Sequence, residues 1–245
     1  MVKIGIIGGS GLDKPEILKN SVEKDGTNKF GTPSSTLTCG EISKVPVVIL
    51  ARHGKDHSIP PTKVNFLANI YAMKEQGCTH ILAATAVGSL REEIKPGNIV
   101  FPSQFIDFTR HRNLTFFHDK VVHTPMSDPY DKALTEIFCH TCDELGFTYN
   151  KDVTVVTIEG PRFSTRAESS MFRSWGADII NMSTCPEVIL AKELGIPYQT
   201  IAMSTDYDCW KEDEAPVTFE IVMQRMNENA EKVKKLLVRS IPRIK

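Results

Sequence analysis

Short apolar runs alternate with longer amphipathic segments along the whole chain, and this alternation is the strongest constraint on the fold. Runs rich in Ile and Val predict seven buried strands: Lys3–Ile7, Val45–Leu50, His80–Ala84, Asn98–Phe101, Val153–Thr157, Asp178–Asn181 and Tyr198–Met203. Helical spacing predicts five helices: Lys63–Glu75, Asp131–Glu144, Arg166–Ser174, Pro186–Glu193 and Thr218–Val238. Because helices between buried strands cover both faces of a sheet, we expect an α/β fold, a three-layer sandwich with a central mixed sheet.

The composition favours one soluble domain and excludes several partners. The chain has 245 residues, of which 41% are hydrophobic, so we expect a single domain spanning residues 1–245. Its net charge of −1 favours neither nucleic acid nor an anionic membrane as a partner. No stretch approaches the ~18 apolar residues of a membrane span, and the apolar N-terminal run is too short for a secretory signal.

The six cysteines are scattered along the chain, which favours reduced thiols and a cytoplasmic location. Only Cys139 and Cys142 form a C-x-x-C pair, and they lie in a predicted helix. Two interpretations of this pair stay open, a packed or half-exposed pair of thiols and a metal or redox site. No cluster of His, Cys, Asp and Glu has the spacing of metal ligands, so we expect no metal.

The segment from Asp107 to Asp128 is the least regular part of the chain. Loops of this length are often functional. This one is rich in cationic and titratable side chains, namely Arg110, His111, Arg112, His118 and His123. We therefore expect it to contribute to function.

In sheets of this kind, ligands bind beyond the carboxyl ends of the strands, so the turns that follow the predicted strands are candidate binding sites. Three of these turns have residues that could bind an anion. The glycine-rich turn around Ser10 fits either a phosphate-binding turn or an ordinary tight turn, and it matches neither a Walker loop nor a dinucleotide fingerprint. Arg52 offers a planar fork for an oxyanion and His53 a second donor, with a solvated turn as the alternative. The small residues Thr85–Ser89 add a third such turn. Together they favour a composite oxyanion site.

Three later turns suit the recognition of a second ligand. Glu159 and Phe163 fit a pocket wall with one polar group, and core packing of Phe163 is the alternative. Ser183 either binds a ligand or caps the next helix. Asp206 and Asp208 point the same way if the chain is extended, and a carboxyl whose pKa is raised by burial protonates a leaving group. An acidic pair in a loop is the alternative.

Taken together, these segments resemble the methylthioadenosine phosphorylases, which form part of the trimeric branch of the purine nucleoside phosphorylase family. The resemblance runs in order from about residue 3 to residue 243, and six motifs carry it: Gly8–Leu12, Arg52–His57, Thr85–Glu93, Glu159–Phe163, Asn181–Thr184 and Thr205–Trp210. It implies the nucleoside phosphorylase type of α/β sandwich. It also implies homotrimers, in some members paired into hexamers, with phosphate as co-substrate and no metal or organic cofactor.

The resemblance also implies a role for each matching residue. It assigns phosphate binding to Ser10, Arg52, His53, Thr85, the Ala86 backbone and Ser183. It assigns nucleoside binding to Met182 at the ribose, Phe163 at the ring system, Asp206 at purine N7, Asp208 at the 6-amino group, and Phe219 and Val222 at the 5'-alkylthio group. His123 matches a residue that a neighbouring subunit contributes. Asp206 and Asp208 are the implied catalytic pair.

The resemblance thus implies a glycosyltransferase of purine and methionine salvage. The implied reaction is phosphorolysis of 5'-methylthioadenosine to adenine and 5-methylthioribose 1-phosphate. Because an ionised carboxylate only accepts hydrogen bonds and a 6-amino group donates them, the Asp-x-Asp at 206–208 favours adenine. A phosphorylase of methylthioinosine or 6-oxopurine nucleosides, and a nucleoside-binding protein without turnover, are the alternatives.

Overall fold

A computed structural model describes residues 1–8, 17–214 and 218–245. Nine strands lie in these ranges: β1 Ile4–Gly8, β2 Lys19–Lys24, β3 Leu37–Ile42, β4 Val45–Ala51, β5 His80–Ser89, β6 Ile99–Phe108, β7 Tyr149–Ile158, β8 Ile179–Asn181 and β9 Tyr198–Asp206. Five α-helices accompany them: α1 Phe66–Glu75, α2 Lys132–Leu145, α3 Arg166–Ser174, α4 Thr184–Glu193 and α5 Phe219–Ser240. The predicted fold class, α/β with helices on a central mixed sheet, is confirmed.

All seven predicted strands are present, and most extend beyond the apolar run that predicted them. β5 continues from Ala84 to Ser89, so Thr85 lies within the strand and not in a turn after it. β2 and β3 were not predicted from the sequence. Every residue of β2 is exposed, and β3 contains Thr38, Gly40 and Glu41, so neither segment has an apolar run to mark it.

The sheet is mixed, with the strand order β2-β3-β4-β1-β5-β8-β7-β6-β9. β1 pairs in parallel with β4 and β5, which brings the carboxyl ends of these three strands to one edge. β9 pairs in parallel with β5 and in antiparallel with β6, so β5, β8, β7, β6 and β9 close into a ring. The sequence did not predict this closure, because it depends on pairings between distant strands.

Helices cover both faces of the sheet. α1 and α4 pack into one apolar cluster, through side chains such as Phe66, Ile70 and Val188. α2 and α5 pack into a second cluster, where Phe138 and Val233 are fully buried. The apolar stripe of α5 therefore divides: its later residues fill the core, while its first turn is free to line a cavity.

The C-x-x-C pair is part of this packing. Cys139 and Cys142 are both buried free thiols on α2. Burial raises the pKa of Cys139 to about 11 and that of Cys142 to about 12, so both thiols stay protonated at neutral pH. This buried environment favours the interpretation as a packed pair of thiols.

Among the described residues, none of the helices combines the length and the apolarity that crossing a bilayer requires.

Candidate active site

A cavity of about 400 Å³ opens where β4, β5, β8 and β9 end. Most of the predicted site residues line it: Arg52, His53, Thr85, Ala86, Phe163, Met182, Ser183, Asp206, Asp208, Phe219 and Val222. They come from six separate stretches of sequence, so the fold brings together residues that the motifs could not link. Ser10 lies outside the described residues.

Arg52 lies at the closed end of the cavity and is held by a buried carboxylate. Its side chain is 2% exposed, and its Nε and Nη2 atoms donate to the two oxygens of Glu187. Nη1 donates to the carbonyl of Ala84 at 2.9 Å, and the Tyr198 hydroxyl donates to Glu187 at 3.0 Å. Burial by itself lowers the pKa of Arg52, but Glu187 raises it above the ordinary value, so the guanidinium remains a fixed cation.

His53 lies next to Arg52 in the neutral form. Burial, the Arg52 cation and other neighbouring charges lower its pKa to about 4. Its Nδ1 is 2.9 Å from the carbonyl of Ile59, and because a carbonyl only accepts, Nδ1 carries the ring proton. Nε2 is then a hydrogen-bond acceptor. This differs from the second donor expected from the sequence, and it suits a phosphate that still carries a proton.

Two hydroxyl groups complete the closed end. Thr85 in β5 and Ser183 after β8 place their oxygens 2.7 Å apart, and both side chains are buried. Ser183 also occupies the N-cap position of α4 but makes no side-chain capping bond, so its hydroxyl is directed to Thr85 instead. The Asn181 side chain supports this turn by accepting from the backbone of Ser183 and Thr184, both at 3.4 Å.

Asp206 is a half-buried carboxyl that lines the same cavity. Burial is the main cause that raises its pKa to about 6, and the nearby Asp208 charge adds to the increase. Hydrogen bonds from Thr205 at 2.7 Å and from the Asp208 backbone at 2.8 Å oppose it. A Cβ on Gly88 would come within 2.9 Å of an Asp206 oxygen, so a larger residue there would displace the Asp206 carboxyl. Asp206 can therefore hold a proton near neutral pH.

Asp208 is oriented by a residue that was not singled out from the sequence. The Ser164 hydroxyl lies 2.9 Å from one carboxylate oxygen of Asp208 and 3.1 Å from the other. Asp208 has a φ of 51°, a left-handed conformation that is strained for most residues other than glycine and is often found at functional sites. Its carboxylate is thus held in one place as an acceptor.

The end of the cavity at the start of α5 is apolar and open. Phe219 begins α5 and is 51% exposed, and Val222, one turn later, lines the same wall. The His57 ring lies with its centroid 5.7 Å from Phe219 and 4.6 Å from His53. Phe163 is 40% exposed at the rim, which excludes the core-packing alternative for this ring.

Two residues considered in the sequence analysis, Glu159 and His123, lie outside the cavity lining. Glu159 was expected in the pocket wall, but its carboxylate pairs with Arg112 outside the cavity lining. His123 is exposed on the long loop and does not line the cavity of its own chain.

Comparison with known proteins identifies the family of this site. A family profile described as the phosphorylase superfamily matches residues 3–242. The chain belongs to this superfamily. The S-methyl-5'-thioadenosine phosphorylase of Danio rerio is 53% identical over 249 residues, which cover 99% of this chain and 89% of that protein. The one from Xenopus tropicalis is 52% identical over 250 residues, with the same shares covered.

Solved phosphorylase structures agree with this assignment. The methylthioadenosine phosphorylase of Schistosoma mansoni in complex with adenine has a TM-score of 0.95 at 39% identity, over 99% of this chain and 91% of that one. A variant of the adenosine/methylthioadenosine phosphorylase from the same organism, in complex with methylthioadenosine, has a TM-score of 0.93 at 39% identity, again over 99% and 91%. The expected nucleoside phosphorylase type of fold is therefore confirmed.

Several residues that support this phosphorylase site were missed by the sequence reasoning. Glu187 is 135 positions from Arg52, and Ser164 is 44 positions from Asp208, so no local pattern links them. One signal for Glu187 was present, since it is a carboxylate within an otherwise apolar helical run. A charge in such a run indicates a buried partner.

Proposed function

We propose that this protein cleaves 5'-methylthioadenosine with inorganic phosphate, giving adenine and 5-methylthioribose 1-phosphate. The observation that carries the proposal is one cavity lined by a fixed cation, a protonatable carboxyl and, at the start of α5, an apolar wall. The cation suits the phosphate, the carboxyl suits the purine, and the apolar wall suits the alkylthio group. The named relatives, about half identical to this chain, support the same reaction.

The chemistry follows from the positions of the groups. The C1'–N9 bond breaks and its electron pair goes to the purine, which is a better leaving group once Asp206 donates its proton toward N7. A phosphate oxygen then forms the new bond to C1', while Arg52, Thr85 and Ser183 hold the anion below the sugar. His53 accepts a hydrogen bond from the P–O–H group of the phosphate. After the phosphate has bonded to C1', that group gives up its proton, and this restores the proton that Asp206 gave to the purine. Phosphate is a co-substrate, and no cofactor takes part.

Base selection is proposed to depend on Asp208. Its carboxylate, held by Ser164, accepts a hydrogen bond from the 6-amino group of adenine. A 6-oxo group offers only lone pairs there, so a purine such as hypoxanthine is disfavoured. Met182 contacts the ribose, Phe163 the purine ring, and Phe219 with Val222 the 5'-methylthio group.

The assembly is proposed to be a homotrimer formed from one phosphorylase domain, residues 1–245, in the cytoplasm. The long loop supports an interface, because Val121 is 81% exposed and Val122 and Leu114 are also exposed apolar side chains. His123 follows directly on the same loop. We place it in the cavity of a neighbouring subunit, so that one complete site needs two chains.

A direct assay tests this function. Release of free base is measured from methylthioadenosine, adenosine, methylthioinosine and inosine, each with and without phosphate. We expect adenine from methylthioadenosine only when phosphate is present. Hypoxanthine from the inosine substrates alone would contradict the proposed role of Asp208, and no release from any substrate would contradict the reaction itself.

A further inference from the structure

Arg112 belongs to the irregular loop and lies behind the cavity, where none of the roles above uses it. We propose that Arg112 is a positioning residue that sets the shape of the turn from Met182 to Cys185 and thereby the phosphate contacts of Ser183. This inference rests on the proposed function, since it assigns phosphate to that turn. The Arg112 side chain is 3% exposed, so its cation is buried and every donor needs a partner.

The guanidinium donates to carbonyls at both ends of the turn. Nη1 lies 2.9 Å from the carbonyl oxygen of Met182 and 2.6 Å from that of Cys185. Ser183 lies between these two anchored residues, and its hydroxyl is 2.7 Å from that of Thr85. Moving either carbonyl would therefore move the Ser183 hydroxyl relative to the rest of the anion site.

The other donors of Arg112 fasten the same turn to the end of β7. Nη2 donates to the carbonyl of Glu159 at 2.8 Å, and Nε donates to the Glu159 carboxylate at 3.1 Å. The next residue, Gly160, has so little room that a Cβ there would come within 2.5 Å of the Met182 sulfur. One planar fork thus fixes two segments that must fit closely, a task for which the single ammonium of lysine has the wrong geometry.

The fork is itself held in place from two sides. The Glu159 carboxylate also accepts from the backbone N–H groups of Arg110 at 2.7 Å and His111 at 3.0 Å. The guanidinium carbon lies 5.0 Å from the centroid of the Phe66 ring. Arg112 is therefore a preorganised support, with its position set before any ligand arrives.

Arg112 makes hydrogen bonds next to the proposed phosphate site and none to the residues proposed to bind the adenine edge. Within the described residues, the hydrogen bonds of Arg112 go to Ile158, Glu159, Met182 and Cys185, and none goes to Asp206, Asp208 or Ser164. Loss of Arg112 should therefore weaken phosphate binding and leave adenine binding unchanged. A general loss of folded structure would weaken both.

The test measures the two affinities separately by calorimetry, with inorganic phosphate and with adenine as the probes, in the full chain. We expect Arg112→Met to weaken phosphate binding by about tenfold or more, the loss of one or two buried hydrogen bonds, with adenine Kd within about twofold of wild type. Arg112→Lys should restore little of the phosphate affinity. The matched control is Arg243→Met, which breaks an Arg pair with Glu144 far from the cavity and should change neither affinity.

Unchanged phosphate affinity, or phosphate and adenine affinities that fall by the same factor, would overturn the proposal. If Arg112→Met does not fold, Arg112→Lys is judged by the same two criteria. Wild-type protein that binds phosphate and adenine but releases no adenine from methylthioadenosine would contradict the proposed function alone. The binding comparison would still decide the role of Arg112.

Discussion

The closed end of the cavity is walled by buried polar groups that satisfy one another, whereas the end where α5 begins presents half-exposed apolar rings. Arg52 and Ser183 are 2% and 4% exposed, while Phe219 is 51% exposed. The closed end keeps its geometry through bonds within this chain. The open end leaves apolar surface exposed within this chain, and the proposed function gives that surface to the 5' group of the substrate.

This difference separates two tasks. Fixed charges and hydroxyls in a dry site stabilise developing charge without reorganisation, so the closed end should govern rate and phosphate affinity. An apolar wall discriminates between substrates by about 1–3 kcal/mol per methylene, so the open end should govern the choice of 5' group. Asp206 and Asp208 line the same cavity, and under the proposed function they act on the base.

The largest expected effect is the loss of kcat when Asp206, the proposed proton donor, is replaced. Asp206→Asn should lower kcat by roughly 10²- to 10⁴-fold, because an amide replaces the acid that protonates the purine. The phosphate KM should stay within about twofold, since the anion contacts remain. Steady-state kinetics with both substrates varied check this. Equal losses in kcat and in phosphate affinity would place Asp206 in the anion site instead.

The next largest effect tests the closed end itself. Arg52→Met should raise the phosphate KM by about 100-fold, because a charge-assisted contact is worth about 1.5–3 kcal/mol. It should also lower the free energy of unfolding by about 3–5 kcal/mol, since Glu187 is left buried without its partner.

A double variant separates these two consequences. Arg52→Met combined with Glu187→Gln removes the orphan charge and keeps an acceptor for the Tyr198 hydroxyl. We expect it to recover much of the stability in denaturant unfolding but none of the phosphate affinity. Recovery of both would show that Arg52 acts on folding and not on the anion.

A pH profile gives the third effect. The pKa of Asp206 is raised from 3.8 to about 6, so the protonated acid predominates below pH 6 and is lost as the pH rises through that value. The kcat/KM for the nucleoside, which reports the enzyme before the nucleoside binds, should therefore fall by about tenfold per pH unit above the pKa. The profile of Asp206→Asn should be flat over the same range. A wild-type kcat/KM that rises from pH 6 to 8 would contradict the role as acid.

The sequence predicted the residues that line the cavity far better than the residues that hold them in position. Arg52, Asp206 and Asp208 are marked by polar residues after apolar strands, which a local pattern can reveal. Glu187 and Arg112 act through partners 135 and 70 positions away, and only the complete fold brings each pair together. β2 was missed for a similar reason, because an exposed edge strand has no apolar period.

A smaller effect is expected for base choice. Asp208→Asn replaces an acceptor by a group that also donates, so the ratio of kcat/KM for methylthioadenosine over methylthioinosine should fall by about 10- to 100-fold, equivalent to one misplaced hydrogen bond of 1–3 kcal/mol. Ser164→Ala, which loosens Asp208 without changing its chemistry, should lower the ratio less. An unchanged ratio in Asp208→Asn would remove this residue from base selection.

The smallest expected effect is at the open end. Phe219→Ala shortens the apolar wall, so the preference for methylthioadenosine over adenosine in kcat/KM should fall by about 3- to 10-fold, with phosphate KM unchanged. Val238→Ala, on the same helix but outside the cavity lining, is the matched control and should leave the preference as it is. Because Phe219 is half exposed in the single chain, its contribution should grow if another subunit covers it. A Phe219→Ala effect as large as that of Arg52→Met would therefore mean that the open end is as fully enclosed in the assembly as the phosphate end is within one chain.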